Sequence, residues 1–302
     1  PRSRGLGDVY KRQLPGLSFE ESIEITKIYS VAGLLKKNQS IITGRPFRSP
    51  HHTVSAIALA GGGTIPKPGE ISLSHNGVLF LDELPEFNRN ALEVMRQPLE
   101  DREVTIARIH GKYVYPAGFM LVAARNPCPC GMYPDLNKCT CSYRQIRQYN
   151  AKISRPLLDR IDINVNVQKV AYEDLLGTKK AETSAQIRKR VLAAQKIQRE
   201  RYRSESFHFN SQLDGRRTQK YIKLGSAEEA MIRDVFEETD LSARGYNRVL
   251  KIARTIADLD GSPEIREIHL KEALFFRYQN LLEDGETGRN RSYGKGAFGY
   301  GS

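Results

Sequence analysis

Residues 74–87, SHNGVLFLDELPEF, run from four consecutive apolar residues (Val78–Leu81) straight into an acidic pair, Asp82-Glu83. A short unbroken apolar run reads as a strand buried on both faces. Two carboxylates at the tip of such a strand suit a nucleotide-hydrolysing site, where one holds magnesium and the other activates water. The complementary half of that site is a loop G-x-x-x-x-G-K-[ST], whose backbone amides wrap the phosphates. No such string occurs in the sequence.

Outward from this stretch the periodicities alternate. AGFMLVAARNP (117–127) reads as a second buried strand ending at Asn126-Pro127, and EVTIARIHGKYVYP (103–116) as a β-hairpin pivoting on His110-Gly111. NRNALEVMRQPLED (88–101) predicts a short helix. LSFEESIEITKIYSVAGLL (17–35) predicts another, opened by Ser18 with Glu21 three residues on and closed at Gly33; Ile25, Ile28 and Tyr29 share one face. Residues 44–69 between them are rich in Gly and Pro. Strands alternating with helices predict an α/β core, a parallel sheet covered by helices on both faces. From about residue 183 four segments have helical period only, which predicts an all-helical second domain. The expected organisation is an α/β core over 14–182, a helical domain over 183–284, a disordered Gly-rich tail over 285–302, and a non-native or disordered stretch over 1–13. There is no internal repeat.

The 302 residues are 39% hydrophobic and 27% charged, the balance of a water-soluble globular protein. No apolar run approaches the roughly 18 residues that cross a bilayer, and no signal peptide is seen. No membrane partner and a cytoplasmic location are therefore expected. The net charge is +12, of which residues 1–13 carry +3 and residues 285–302 carry +2, leaving +7 on the body. A basic body suggests a polyanionic partner, although a well-solvated basic surface has the same composition.

The motifs fall in a fixed order. Asp82-Glu83 ends one strand, Asn126 follows 44 residues after Asp82, and Arg160 in RPLLDRID (155–162) lies 34 residues further on. SARGYNRVLKIARTIADL (242–259) then sits in the helical part. Together with GRPFRSPHHTVSAIALAGGGTIPKPGEISLSHNGVLFLDELPEF (44–87) and LVAARNPCPCG (121–131), this order resembles the AAA+ ATPases. Within them it is similar to the magnesium-chelatase-like branch of YifB/ComM type, over about residues 14–283. The resemblance implies a P-loop-type parallel sheet followed by a helical lid, ATP and Mg2+ as cofactors, and a homo-hexameric ring.

By the same resemblance, Asp82 holds the magnesium ion, Glu83 polarises the attacking water, and Asn126 is a sensor that positions it. Asn126 alternatively only makes the turn before Pro127. Arg160 resembles an arginine finger that reaches a neighbouring subunit's site, where a fixed guanidinium stabilises transition-state charge; the plain alternative is a pair with Asp159 or Asp162. Arg244 resembles the lid sensor of the γ-phosphate, with Arg248 one turn on as second choice and Arg254 in the same stretch. The sequence departs from the family where the phosphate loop belongs: PRSRGLGDVYKRQ (1–13) has Gly5 and Gly7 but no following Lys-Ser/Thr. Nucleotide affinity should suffer, and weak ATPase activity is expected of this chain.

Three features point to DNA. The hairpin carries Arg108, His110 and Lys112 near its tip; GGG at 61–63 with Lys67 resembles a pore-facing loop; and residues 184–223 hold eleven Lys/Arg against three Asp/Glu. Each also has a purely structural or solvation reading. The function implied is an ATP-driven helicase or branch-migration motor in recombination of incoming DNA. A chelatase-type or protein-remodelling ATPase, and a non-catalytic DNA-binding or ring-padding homologue, remain open.

All four cysteines, Cys128, Cys130, Cys139 and Cys141, fall within fourteen residues as two C-x-C pairs. They suit a structural zinc site, although C-x-C is tighter than the usual spacing and free thiols are the alternative. His51-His52 are expected to be structural hydrogen-bonding residues.

Overall fold

The computed structural model describes residues 9–10, 12–108, 111–167, 182–239 and 241–283. His110 and its neighbour Ile109, most of the 1–13 stretch, and the tail expected over 285–302 lie outside the described residues. The chain forms two compact units: an α/β unit that includes Gly16–Ile161, and a helical unit that includes Arg12–Pro15 and the chain from Asp162 on.

In the α/β unit, α1 (Phe19–Val31) starts as the sequence predicts. The Ser18 hydroxyl accepts from the Glu21 N–H at 3.2 Å while Glu21 Oε2 accepts from the Ser18 N–H at 2.8 Å. Two otherwise orphaned donors are thereby satisfied. Ile25 and Ile28 are buried, the Tyr29 hydroxyl donates to the Leu73 carbonyl at 3.0 Å, and Gly33 follows at φ 72°. Next come β1 (Phe47–Arg48), α2 (Ala56–Ala60), a small antiparallel hairpin of β2 (Gly61–Gly62) and β3 (Lys67–Pro68), and α3 (Glu70–Leu73).

β4 (Val78–Leu81) is buried along its whole length. It pairs in parallel with β1 (Phe47↔Val78) on one side. Gly77 makes that pairing possible, because a Cβ there would stand 2.2 Å from the Pro46 carbonyl oxygen. The helix expected over 88–101 is in fact two, α4 (Arg89–Glu93) and α5 (Arg96–Asp101). The break is explained by Pro98, which has no N–H and whose ring excludes a continuous helix through the carbonyl four residues back, that of Val94.

β5 (Glu103–Arg108) and β6 (Gly111–Pro116) form the expected hairpin, in register from Glu103↔Pro116 to Arg108↔Gly111. β7 (Met120–Ala123) pairs in parallel with β4, completing a three-stranded parallel sheet of order β1-β4-β7 among the described residues. α6 (Tyr143–Asn150) and α7 (Arg155–Leu158) close the unit, and Leu157 packs into the same core as Leu79 and Leu81.

Among the described residues the helical unit contains α8 (Ser184–Arg201), α9 (Gly215–Tyr221), α10 (Ser226–Glu238), α11 (Ala243–Leu259) and α12 (Glu267–Glu283). Its core is centred on α11, whose Val249, Ala253 and Ala257 recur at helical spacing and are fully buried. Beside this apolar face sits a polar cluster. The Asp258 carboxylate, wholly buried, accepts from Arg201 Nη1 at 2.9 Å and Nη2 at 2.5 Å, from Arg254 Nε at 3.1 Å, and from Asn210 Nδ2 at 2.9 Å. Arg254 also donates to the carbonyls of Ser262 at 2.6 Å and Pro263 at 2.9 Å. Desolvation pushes the Arg254 guanidinium down despite Asp258, whereas the equally desolvated Arg201 is raised by the bonds it gives that carboxylate. No helix among the described residues is long and apolar enough to cross a membrane.

Candidate functional site

The parallel pairing of β4 and β7 sets the geometry of the first candidate site. The last strand pair is Leu81↔Ala123; beyond it, Ala124 N–H donates to Leu81 O and Leu84 N–H to Ala124 O, both at 2.9 Å. The segment 82–83 therefore crosses directly beside Ala124, two residues before Asn126. The regular strand ends at Ala123, earlier than the Asn126-Pro127 that the sequence suggested. Asp82, Glu83 and Asn126 are all exposed at this edge.

Glu83 is held in the left-handed region (φ 54°, ψ 46°), with Pro85 beginning the tight turn after it, and its N–H donates to Asp82 Oδ1 at 3.0 Å. A non-glycine residue in that region stores backbone strain, common where a side chain must be aimed. Glu83 Oε2 lies 3.4 Å from His52 Nδ1, and the His52 ring stacks on His51 at 4.0 Å with Phe87 edge-on at 6.4 Å. His52 is thus a site neighbour to which sequence reasoning assigned only a structural role. No local pattern announces a contact spanning 31 residues; the only signal was the family-typical string RSPHHT.

Behind Asn126, Arg125 Nη1 donates to Asn150 Oδ1 at 3.2 Å, linking the segment to α6. On the same helix the Tyr149 hydroxyl is raised, first by burial and then by the carboxylates of Glu86 and Glu83. Two exposed carboxylates and an amide on adjoining strand ends suit a hydrated divalent cation and a positioned water. The lysine and glycine loop that would hold a triphosphate are not among the residues of this sequence.

Arg160 follows α7 and its side chain is only 11% exposed. It is paired with neither Asp159 nor Asp162: Nη2 donates to Glu100 at 2.6 Å and Nη1 to the Pro156 carbonyl at 2.7 Å. Its Nε is buried without a hydrogen-bond partner among the described residues. In the helical unit Arg248 pairs with Asp162 at 3.3 Å, Arg244 is exposed in the first turn of α11, and Arg254 belongs to the Asp258 cluster.

Two of the loops singled out for DNA meet each other. Arg108 Nη2 lies 3.2 Å from where a Cβ on Gly62 would stand, and Ile106 Cδ1 lies 3.2 Å from the equivalent point on Gly61. The Tyr115 hydroxyl donates to the Pro66 carbonyl at 2.9 Å, tying the β5–β6 hairpin to the β2–β3 hairpin a second time. Lys67, Arg108 and Lys112 are exposed on these hairpins. The basic segment 184–223 is less uniform than its composition suggests, because Arg201 is committed to Asp258 and Lys220 to Glu205 at 2.8 Å.

The four cysteine sulfurs lie within 4.8 Å of one another. The Cys130 thiol is lowered to about 6 by the backbone N–H groups of Met132 and Thr140. Cys139 is pushed up to about 11, because desolvation and the neighbouring thiols Cys130 and Cys128 outweigh a backbone hydrogen bond from Cys141.

A parallel sheet with Asp-Glu just past one strand and Asn three residues past its neighbour, followed by a helical unit, is the architecture of the AAA+ class. Residues 6–175 match the family model for the magnesium chelatase subunit ChlI, and residues 181–277 the model for that subunit's C-terminal region. The chain belongs to this magnesium-chelatase-like AAA+ family and is of the YifB/ComM type. It is 44% identical over 267 residues to the competence protein ComM of Haemophilus influenzae, covering 87% of this chain and 51% of that protein. It is 42% identical over 269 residues to YifB of Salmonella typhimurium, with coverages of 87% and 51%. Over 265 residues it is 42% identical to YifB of Escherichia coli, again covering 87% and 51%. The chain spans about half the length of these relatives.

Proposed function

We propose that this chain is the motor segment of an ATP-driven DNA translocase, acting in helicase or branch-migration work on incoming DNA. Its family is one of AAA+ proteins, and one relative is named for competence. The observation that carries the DNA reading is the seating of Arg108 on Gly62, which gathers Lys67, Arg108 and Lys112 onto two joined hairpins. A short ridge of cations on stiff hairpins suits a phosphate backbone better than a small ligand or an acidic helix. ATP and Mg2+ are the cofactors of this reading, with Asp82 on the metal, Glu83 and Asn126 on the water, and Arg244 or Arg248 on the γ-phosphate side. Zn2+ is the ion whose preferences the four thiols meet. Arg160, clipped to Glu100 within its own chain, serves as the finger for a neighbouring subunit of a homo-hexamer, and the protein works in the cytoplasm.

The test is fluorescence anisotropy of this chain on a labelled fork across a salt series. Log affinity should fall linearly with log salt, and replacing Lys67, Arg108 and Lys112 by Ala should flatten that slope by about 0.9 per lost duplex contact. Salt-insensitive binding, or an unchanged slope in the triple variant, removes DNA from the reading and favours a protein-remodelling or chelatase-type ATPase. Fork binding without any binding of a fluorescent ATP analogue favours the non-catalytic, ring-padding homologue.

A further inference from the structure

The segment 124–142 leaves β7 at the candidate site and reaches α6 with almost no core of its own. Cys128 is its only buried residue; Leu136 is 80% exposed and Met132 is exposed as well. Nineteen residues lose far more conformational entropy on ordering than one buried thiol returns, so something else must hold the loop.

The sulfurs indicate what that is. Cys128 and Cys130 lie 3.4 Å apart, Cys128 and Cys139 3.8 Å, and Cys130 and Cys139 3.7 Å. The edge of a tetrahedron of thiolates around zinc, with bonds of about 2.3 Å, is about 3.8 Å. Disulfides require about 2.05 Å, and none is formed. The loop also turns backbone donors toward the sulfurs: Tyr133 N–H donates to Cys128 Sγ at 3.4 Å, as expected where thiolate charge must be spread. Gly131, at φ 76°, lets the chain turn back so that Asn126 Cγ comes within 3.9 Å of its would-be Cβ.

We infer that Cys128, Cys130, Cys139 and Cys141 form a closed tetrathiolate centre for a structural zinc ion, which fixes the segment bearing Arg125 and Asn126 against α6. Loading releases the thiol protons to solvent and leaves four thiolates on one divalent ion; no bond to the ion is left open for substrate. The centre therefore positions and does not react. The value of fixing Asn126 rests on the motor reading, whereas the metal site itself does not.

The test uses the full chain without nucleotide or DNA, so it stands apart from the failure of that reading. Metal analysis of protein purified without chelator should find one zinc per chain. Cobalt exchanged into the site should show thiolate-to-metal charge transfer and the visible bands of a tetrahedral sulfur site. Cys139→Ser should lose the ion. Because that variant can also lose the loop's structure, the second arm is reversible removal from the native sequence. Chelation should speed amide exchange in 124–142 by about tenfold or more while β4 and α11 keep their protection, and added zinc should restore it. A folded, metal-free chain whose four thiols titrate freely in the presence of zinc overturns the site. So does a pair of disulfides found by mass. Zinc bound with no change in exchange on chelation overturns the positioning role.

Discussion

Asp258→Ala should loosen the helical unit more than any other single truncation of a charged side chain there. The carboxylate is completely buried, and it is the shared acceptor for two N–H groups of Arg201, one of Arg254 and one of Asn210. Charge-assisted hydrogen bonds contribute about 1.5–3 kcal/mol each, so four taken separately would suggest about 6–12 kcal/mol. That figure is too large, because the bonds share one group and Arg201, 18% exposed, can turn toward water. Arg254, at 5%, cannot. Removing one partner of a buried ion pair costs about 3–5 kcal/mol, and we expect that range here. The unit on its own should have about 5–15 kcal/mol, so a loss of about 3–5 kcal/mol removes between about a fifth and the whole of its stability. The readout is amide exchange along α11 in the full chain, which separates the two units. At about 1.4 kcal/mol per tenfold, protection of the slowest amides should fall by roughly 150- to 4,000-fold. The exposed control Asp234→Ala should shift stability by no more than about 0.5 kcal/mol. A fall of less than tenfold in Asp258→Ala would mean that the cluster is a solvated accessory, and the reasoning would fail.

Gly77→Ala should lower the melting temperature of the α/β unit and weaken protection of β4, because its methyl would meet the Pro46 carbonyl at 2.2 Å; overpacking costs about 1–3 kcal/mol, and an unchanged melting curve refutes the close approach. On the proposed ATPase reading, Glu83→Gln should leave the parent chain's nucleotide affinity, whatever its strength, unchanged and cut its ATP turnover by about 10²–10⁴-fold, measured by steady-state phosphate release. On the same reading, His52→Ala should lower turnover without raising KM if its contact with Glu83 positions that carboxylate; a rise in KM alone would make it a binding residue instead. On the proposed motor reading, Arg160→Ala should cost about 1.5–3 kcal/mol of stability, because its side chain is only 11% exposed and gives a charge-assisted hydrogen bond to Glu100, and it should in addition abolish turnover in the assembled ring; thermal melting and phosphate release separate the two effects.

What the sequence made legible was whatever depends on neighbours along the chain. The change from Leu81 to Asp82 marks a burial boundary, and the structure places that boundary at the end of a fully buried strand. Ser18 and Glu21 announce a helix start because both hydrogen bonds close within one turn. The β5–β6 hairpin follows from alternation alone. What stayed hidden depends on partners far along the chain. His52 meeting Glu83, Arg201 meeting Asp258 across 57 residues, and Arg160 meeting Glu100 rather than an adjacent aspartate have no local signature. The split of 88–101 into two helices was readable from Pro98, but the stretch was read as one helix.

The triple glycine shows how a composition signal changes meaning once packing is known. Read alone, GGG at 61–63 suggests a loop free to move. In the structure a Cβ on Gly61 would lie 2.5 Å from the Lys67 carbonyl oxygen and 2.8 Å from the Gly69 nitrogen. A Cβ on Gly69 would in turn stand 2.4 Å from the Gly61 nitrogen. All three of Gly61, Gly62 and Gly63 have positive φ. The glycines are there because two backbones touch, and the touching makes a small hairpin that the Arg108 guanidinium approaches at Gly62. Close backbone approach, rather than freedom of movement, is what the glycines provide, and it shapes the β2–β3 hairpin, which bears Lys67 and packs against the β5–β6 hairpin that bears Arg108. A side chain on Gly62 would press on the Arg108 guanidinium, 3.2 Å away, at a position whose φ of 142° already strains any residue with a Cβ. The glycines and the contact between the two hairpins therefore belong together, and neither half of the sequence pattern conveys it without the other.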